Sequence, residues 1–235
     1  MNKFIFDVDG TLTPSRASID YEFKDYFLDF CYGNDVYLIT GSDYPKTLEQ
    51  VGSDICLAVS KIYNCSGNDV WEKGVNVYTL DWEIPNNAEH WLLNKLEDSN
   101  FKLRTGQHIE KRPGLVNFSI VGRGATKVQR AEYVKWDTRI FEREHIAKEF
   151  NEMFPDLCAK VGGETGIDIF PLGRDKGQII NDFGPNDVLY FFGDRMDSDG
   201  NDYPLAQVVD YPTQVSSWMK TMEYLQLYQE KGIAK

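Results

Sequence analysis

Short apolar runs that stop at glycine alternate with segments of helical spacing over the first eighty residues. Phe4, Ile5, Phe6 and Val8 form one such run before Gly10 and read as a buried parallel strand. Ile19, Phe23, Tyr26, Phe27 and Phe30 recur at helical spacing up to Gly33, predicting a helix over 19–32. Residues 36–40 predict a second strand breaking at Gly41, and residues 45–51 a short helix with Asp43 as its N-cap. Residues 55–59 read as a third strand, and Lys73-Gly74 as the turn of a hairpin between 70–71 and 75–78. Alternating strands and helices predict an α/β fold, a doubly wound parallel sheet of Rossmann-like type.

The pattern changes after Asp81. A linker at Ile84–Asn87 precedes a helix over 88–96, extended stretches at 101–109 and 115–121, helical residues up to Met153, and strands at 157–161 and 167–170. That order predicts an α+β lobe with an antiparallel sheet. A strong strand then returns at 188–192, and a final helix is read over 214–228. The chain therefore reads as a split core, 1–81 and 174–235, with an α+β cap domain, 82–173, inserted in it.

Charge narrows the classes of partner. With 25 Lys+Arg against 37 Asp+Glu the net charge is −12, which gives no basic footprint for nucleic acid or an anionic membrane. Residues 82–173, with 13 basic and 14 acidic side chains, are almost neutral, so the acidity belongs to the core. The opening residues show no signal-peptide pattern, and no apolar run approaches a membrane span. Cys31, Cys56, Cys65 and Cys158 form no C-x-x-C pair, so reduced, packed thiols in a cytoplasmic protein are expected. His90, His108 and His145 are scattered and read as surface or packing residues.

Asp7-Val8-Asp9-Gly10-Thr11 carries the strongest chemical signal. Residues two apart on a strand point the same way, and the carboxyl end of a parallel strand opens on the ligand crevice of such a sheet. Asp7 and Asp9 there can share Mg²⁺, an oxygen-seeking cation. Asp7 can also attack phosphorus to give an aspartyl-phosphate, and Asp9 is placed for general acid–base work. Asp194, after the strand 188–192, completes a three-carboxylate set. Asp197 and Asp199 lack the glutamate of a calcium loop and read as a solvated turn. Thr40-Gly41-Ser42 can hold phosphate oxygens as an amide nest does. Lys176 is either a phosphoryl counter-charge or a solvated surface lysine. In the cap, Arg112, Arg123 and Arg130 are candidate bidentate phosphate ligands.

These stretches together resemble the haloacid dehalogenase superfamily, and within it the eukaryotic-type phosphomannomutases. Asp7–Pro14, Leu38–Asp43, Ile109–Ser119 with Val121-Gly122-Arg123, Gly162–Pro171 with Asp175-Lys176, and Phe191–Asp194 with Gly200-Asn201-Asp202 carry the likeness in order. One departure is Gly166, where the family has serine two residues before Asp168. The resemblance implies Asp7 as nucleophile and Asp9 as acid–base. It implies a Mg²⁺ site of Asp7, Asp194 and Asp9 through its carbonyl, and a transferring-phosphoryl site of Lys176 and Thr40, Gly41 and Ser42. It implies a sugar-phosphate grip of Arg16, Arg112, Arg123, Arg130 and Asp168. The expected activity is interconversion of mannose 6-phosphate and mannose 1-phosphate, with a hexose 1,6-bisphosphate as activator and a homodimer paired through the cap. The alternatives are a Mg²⁺-dependent sugar-phosphate phosphatase and a non-catalytic binding protein. Intact Asp7 and Asp9 argue against the latter.

Overall fold

A computed structural model describes every residue, Met1 to Lys235. Its strands are β1 (Asn2–Phe6), β2 (Asp35–Ile39), β3 (Lys61–Asn64), β4 (Asp69–Glu72), β5 (Val75–Thr79), β6 (Ile109–Arg112), β7 (Leu115–Phe118), β8 (Leu157–Gly162), β9 (Gly166–Pro171), β10 (Val188–Gly193) and β11 (Tyr211–Gln214). The helices are α1 (Tyr21–Gly33), α2 (Tyr44–Val51), α3 (Ser53–Ala58), α4 (Asn86–Asp98), α5 (Lys127–Ile140), α6 (Glu142–Met153), α7 (Tyr203–Ala206) and α8 (Trp218–Glu230). No helix is long and apolar enough to cross a membrane.

Seven strands form one sheet in the order β11-β10-β1-β2-β3-β4-β5. Its first five strands run parallel, and β4 and β5 return as an antiparallel hairpin. Alternation along β1 divides the core between the two faces. Phe4 and Phe6 pack with Phe23, Phe27 and Phe30 of α1, while Ile5 joins Ile39, Phe191 and Ile179 on the other side. Rings also stack between neighbouring strands: Phe6 lies on Phe192 with centroids 4.9 Å apart, and Phe4 on Tyr190 at 5.1 Å. Such pairs add about 0.5–1.5 kcal/mol each to the area they bury.

The second sheet, β6-β7-β9-β8, is antiparallel throughout. One face carries its own core, where Val116, Phe118, Ile167 and Ile169 meet Leu92 of α4, Tyr133 of α5 and Phe150 of α6. Register sets the opposite face. Glu110 pairs with Asn117, Asn117 with Asp168, and Asp168 with Lys160, which lays a polar row across all four strands. A small cluster of Cys65, Leu115, Cys158 and Phe170 joins this sheet to the other lobe. All four cysteines are free and buried, and burial pushes the Cys31 and Cys56 thiols up to about 12.

Three predicted elements are corrected. Residues 55–59 belong to α3 and its end, and the third strand is β3, two residues later. Ile55, Cys56 and Val59 are all buried, an i, i+1, i+4 set that suits one helix face. Residues 101–108 form no strand, and the ladder begins only at Ile109. Gln214, read as the start of the last helix, ends β11, with the helix beginning at Trp218.

Candidate active site

The chain enters the site where β1 ends. The Asp7 amide still donates to Phe192 O at 2.9 Å, which fixes Asp7 beside the carboxyl end of β10. This is the crevice where ligands collect in open α/β sheets. A tight turn follows, closed by the Gly10 amide on Thr13 O. Gly10 has φ +83°, and a Cβ there would stand 2.5 Å from Asp194 Oδ2, so only glycine suits both the backbone and the approach.

Asp7, Asp194 and Asp202 present carboxylate oxygens within 4.8 Å of one another. Asp7 and Asp202 are buried. Lys176 is buried as well, and its Nζ donates to Asp7 Oδ1 at 2.6 Å and to Asp202 Oδ1 at 2.7 Å. Burial works against the Lys176 charge, but Asp202 and then Asp7 outweigh it and hold the ammonium protonated. Burial pushes the Asp7 carboxyl well above the usual range, with Lys176 opposing and Asp202 and Asp194 adding to the rise. Asp194 has no side-chain partner and is pushed up to about 7 by burial and by the Asp202 charge. When all three carboxylates are ionised they exceed the one ammonium by two negative charges. An all-oxygen donor set with that deficit fits a divalent hard cation.

Spacing put the Asp9 side chain in this metal set and the family resemblance put the Asp9 carbonyl there; among side chains it is Asp202 that joins Asp7 and Asp194. The Asp9 Oδ1 accepts from the Arg16 amide at 2.6 Å and from Gln50 Nε2 at 3.0 Å, which anchors the carboxylate on the cleft wall. Asp202 was missed as a ligand because it lies eight residues beyond Asp194. The Arg195 amide donates to its Oδ2 at 3.0 Å and folds the intervening loop back on itself. Gly200-Asn201-Asp202 was the available signal.

Opposite the carboxylates stands the polar row of the second sheet. Arg112 shares its strand face with Glu110 and donates to Gly41 O at 2.6 Å, joining the two lobes. Arg112 and Arg123 both pair with Glu110 Oε2. Asn117 donates to Asp168 Oδ1 at 2.8 Å. Gly166 is explained here, since a Cβ at that position would lie 2.5 Å from Asn117 Nδ2. Thr40, Gly41, Ser42 and Arg16 line the same cleft, with the Ser42 amide donating to Thr40 Oγ1 at 3.1 Å. Arg130 does not line it. It sits behind, held by Ser15 at 3.1 Å and by Glu164, both of which do. Lys46, Asn117 and Asn201 are lining residues that sequence reading passed over. Of the nineteen lining residues none is hydrophobic, so the cleft suits a small, charged, hydroxyl-rich ligand.

Known proteins give the same picture. A trehalose-6-phosphate phosphatase C-terminal domain from C. albicans superposes with TM-score 0.60 at 18% identity, over 97% of this chain and 76% of that one. An IMP-bound Plasmodium falciparum IMP-nucleotidase mutant gives 0.64 at 15% identity, over 98% and 67%. These likenesses show the fold. Sequence goes further: a phosphomannomutase of Galdieria sulphuraria is 31% identical over 86% of this chain and 84% of its own. Phosphomannomutase 1 of Dictyostelium discoideum is 28% identical over 94% and 96%. The family model for eukaryotic phosphomannomutase matches residues 23–223, a span that takes in the cap arginines, Asp168, Lys176, Asp194 and Asp202. With carboxylates on one wall and arginines on the other inside that span's fold, the chain belongs to the eukaryotic phosphomannomutase family.

Proposed function

We propose that the protein interconverts mannose 6-phosphate and mannose 1-phosphate. The observation that carries this reading is a single polar cleft with the Asp7 and Asp194 carboxylates on one lobe and Arg112 and Arg123 on the other. A molecule with phosphate at each end needs both.

The Asp7 Oδ1 is taken by Lys176, which leaves Oδ2, with Thr11 Oγ1 3.5 Å away, as the attacking oxygen. Oδ2 forms the new bond to phosphorus, the bond from phosphorus to the sugar oxygen breaks, and an aspartyl-phosphate results. Asp9, with Oδ1 anchored by Arg16 and Gln50, keeps Oδ2 free to give the departing sugar oxygen its proton. It then takes a proton from the hydroxyl that attacks in the second half. Arg112, Arg123 and Arg16 hold the phosphate that is not reacting, and Asp168 accepts from sugar hydroxyls. Asp7, Asp194 and Asp202 would hold Mg²⁺, which when bound offsets negative charge between the carboxylates and the phosphoryl group. A hexose 1,6-bisphosphate activator and a dimer paired through the caps belong to the same reading.

Phosphorus NMR of the protein with mannose 1-phosphate, a trace of hexose bisphosphate and Mg²⁺ tests it. The expected result is growth of the mannose 6-phosphate resonance with little free phosphate. Free phosphate alone would mark a hydrolase instead.

A further inference from the structure

Arg130 is a buried cap arginine that reaches the other lobe at Ser15. It is 7% exposed, and its Nε has no hydrogen-bond partner. Its Nη2 is shared between Ser15 Oγ, at 3.1 Å, and Glu164 Oε2. A buried guanidinium with an idle donor is under-satisfied, since an unmet buried donor loses its hydration without gaining a partner.

Glu164 has the opposite character. Its side chain is 47% exposed, and it sits on the turn between β8 and β9, which opens with Gly162-Gly163. Gly163 has φ +54° and nothing within 4 Å of where its Cβ would be. The turn is moored from behind: the Arg143 Nη1 donates to Gly163 O at 3.1 Å and to Gly166 O at 3.4 Å, and Arg143 is itself paired with Asp137 in the interior. The Glu164 side chain can therefore leave Arg130 without disturbing the fold.

The two residues also mark a partition. Glu164 and Ser15 line the active cleft, and both also line a second cavity of about 480 Å³ whose other wall holds Arg130 and Lys127. The ion pair stands between these spaces.

We propose that Glu164 is a specificity-determining residue that occupies Arg130 as a stand-in for a phosphate dianion. A sugar phosphate must displace it to gain the guanidinium, and Glu164 takes Arg130 back when the phosphate leaves. A half-exposed carboxylate is a weak competitor, whereas a phosphate can take two N–H groups at once, the idle Nε among them. Ligands with a dianion at the cap end are therefore favoured over ligands with a hydroxyl or a single charge there. This inference rests on the proposed function and names the residue that tunes how tightly the bisphosphate is held.

Calorimetric titration of glucose 1,6-bisphosphate into the full chain with Mg²⁺, in an Asp7→Asn background that stops turnover, tests it. Glu164→Gln keeps the size and removes the charge, and should tighten binding by up to about fivefold, the factor for a half-exposed pair. The same change added to Arg130→Gln should do nothing, which separates loss of a competitor from a general loss of negative charge. In the active enzyme Glu164→Gln should lower KM without raising kcat. Unchanged or weaker binding, or an equal gain without Arg130, overturns the proposal alone. If the bisphosphate binds neither parent nor variant, the functional reading fails and takes the proposal with it.

Discussion

The Lys176 Nζ lies 2.6 Å from Asp7 Oδ1, although 169 residues separate them along the chain. The same ammonium is the only cation bonded to Asp202, 2.7 Å away. One lysine thus holds the nucleophile and a metal-site carboxylate in fixed relation, at the seam where the split core closes.

Removing that lysine should be costly to the fold. Lys176→Ala leaves two buried carboxylates without their counter-charge, and breaking such a pair costs about 3–5 kcal/mol. Urea denaturation reads this as a lowered midpoint, with millimolar Mg²⁺ restoring part of it. A midpoint equal to the parent's would show that Lys176 is not the keystone of the cluster.

The acidic cluster makes a pH prediction whose sign is opposite to the usual one for carboxylates. The Asp194 carboxyl is pushed up to about 7 in the fold, against about 4 in an unfolded chain. The folded state then binds more protons at Asp194 between these values, so in chelator the contribution of this group to stability falls as pH rises from about 4 to about 7. Asp194→Asn removes the penalty. Thermal melts in chelator should show the variant matching the parent near pH 4 and exceeding it by at least about 1 kcal/mol at pH 7. Added Mg²⁺ should stabilise the parent more than the variant. A variant less stable than the parent at pH 7 without metal would contradict the assignment.

Chemistry and grip should separate in kinetics. Asp7→Asn removes the attacking oxygen, and losses on the order of a million-fold accompany loss of a covalent nucleophile. Arg123→Ala removes a hydrogen bond to a charged group, about 1.5–3 kcal/mol, which should appear mostly as a KM raised by tens of fold. Steady-state rates decide it: a KM unchanged in Arg123→Ala would remove Arg123 from the phosphate grip.

Gly41 joins the lobes at close quarters. A Cβ there would lie 2.7 Å from Asp168 Oδ2, and the Gly41 carbonyl already holds Arg112. Gly41→Ala should push the cap outward, with activity at subsaturating substrate falling at least tenfold. Its melting temperature should change by only a few degrees, because Gly41 borders a cleft with no hydrophobic lining. Activity equal to the parent's would mean the cap closes in another way.

Much of the core was legible because its signals are local. The run from Phe4 to Val8, the helical spacing of Phe23, Phe27 and Phe30, and Asp43 as the cap of α2 needed only short-range pattern, and the Asp43 side chain does accept from the Lys46 amide at 3.1 Å. The α3 segment was misread because the short apolar run Ile55–Val59 satisfies strand and helix templates alike. Lys176 shows the harder limit. Alone in sequence it resembles a solvated lysine, and it is 1% exposed because Asp7 at the end of β1 and Asp202 at the start of α7 converge on it.

The sequence by itself determined the residue types at each strand end: carboxylates after Phe6 and Phe192, hydroxyl and glycine after Ile39, and arginines at the bends of the cap. Alternation within strands and breaks at glycine are properties of neighbouring residues, so they can be read one segment at a time. Only the tertiary structure decided which of those residues share a site. It put Asp202 rather than the Asp9 side chain with Asp7 and Asp194, and it aligned Glu110, Asn117, Asp168 and Lys160 in one row. It also gave Arg130 a glutamate for a partner. Those relations depend on register and on the folding back of loops, and both are set by packing between segments far apart in the chain.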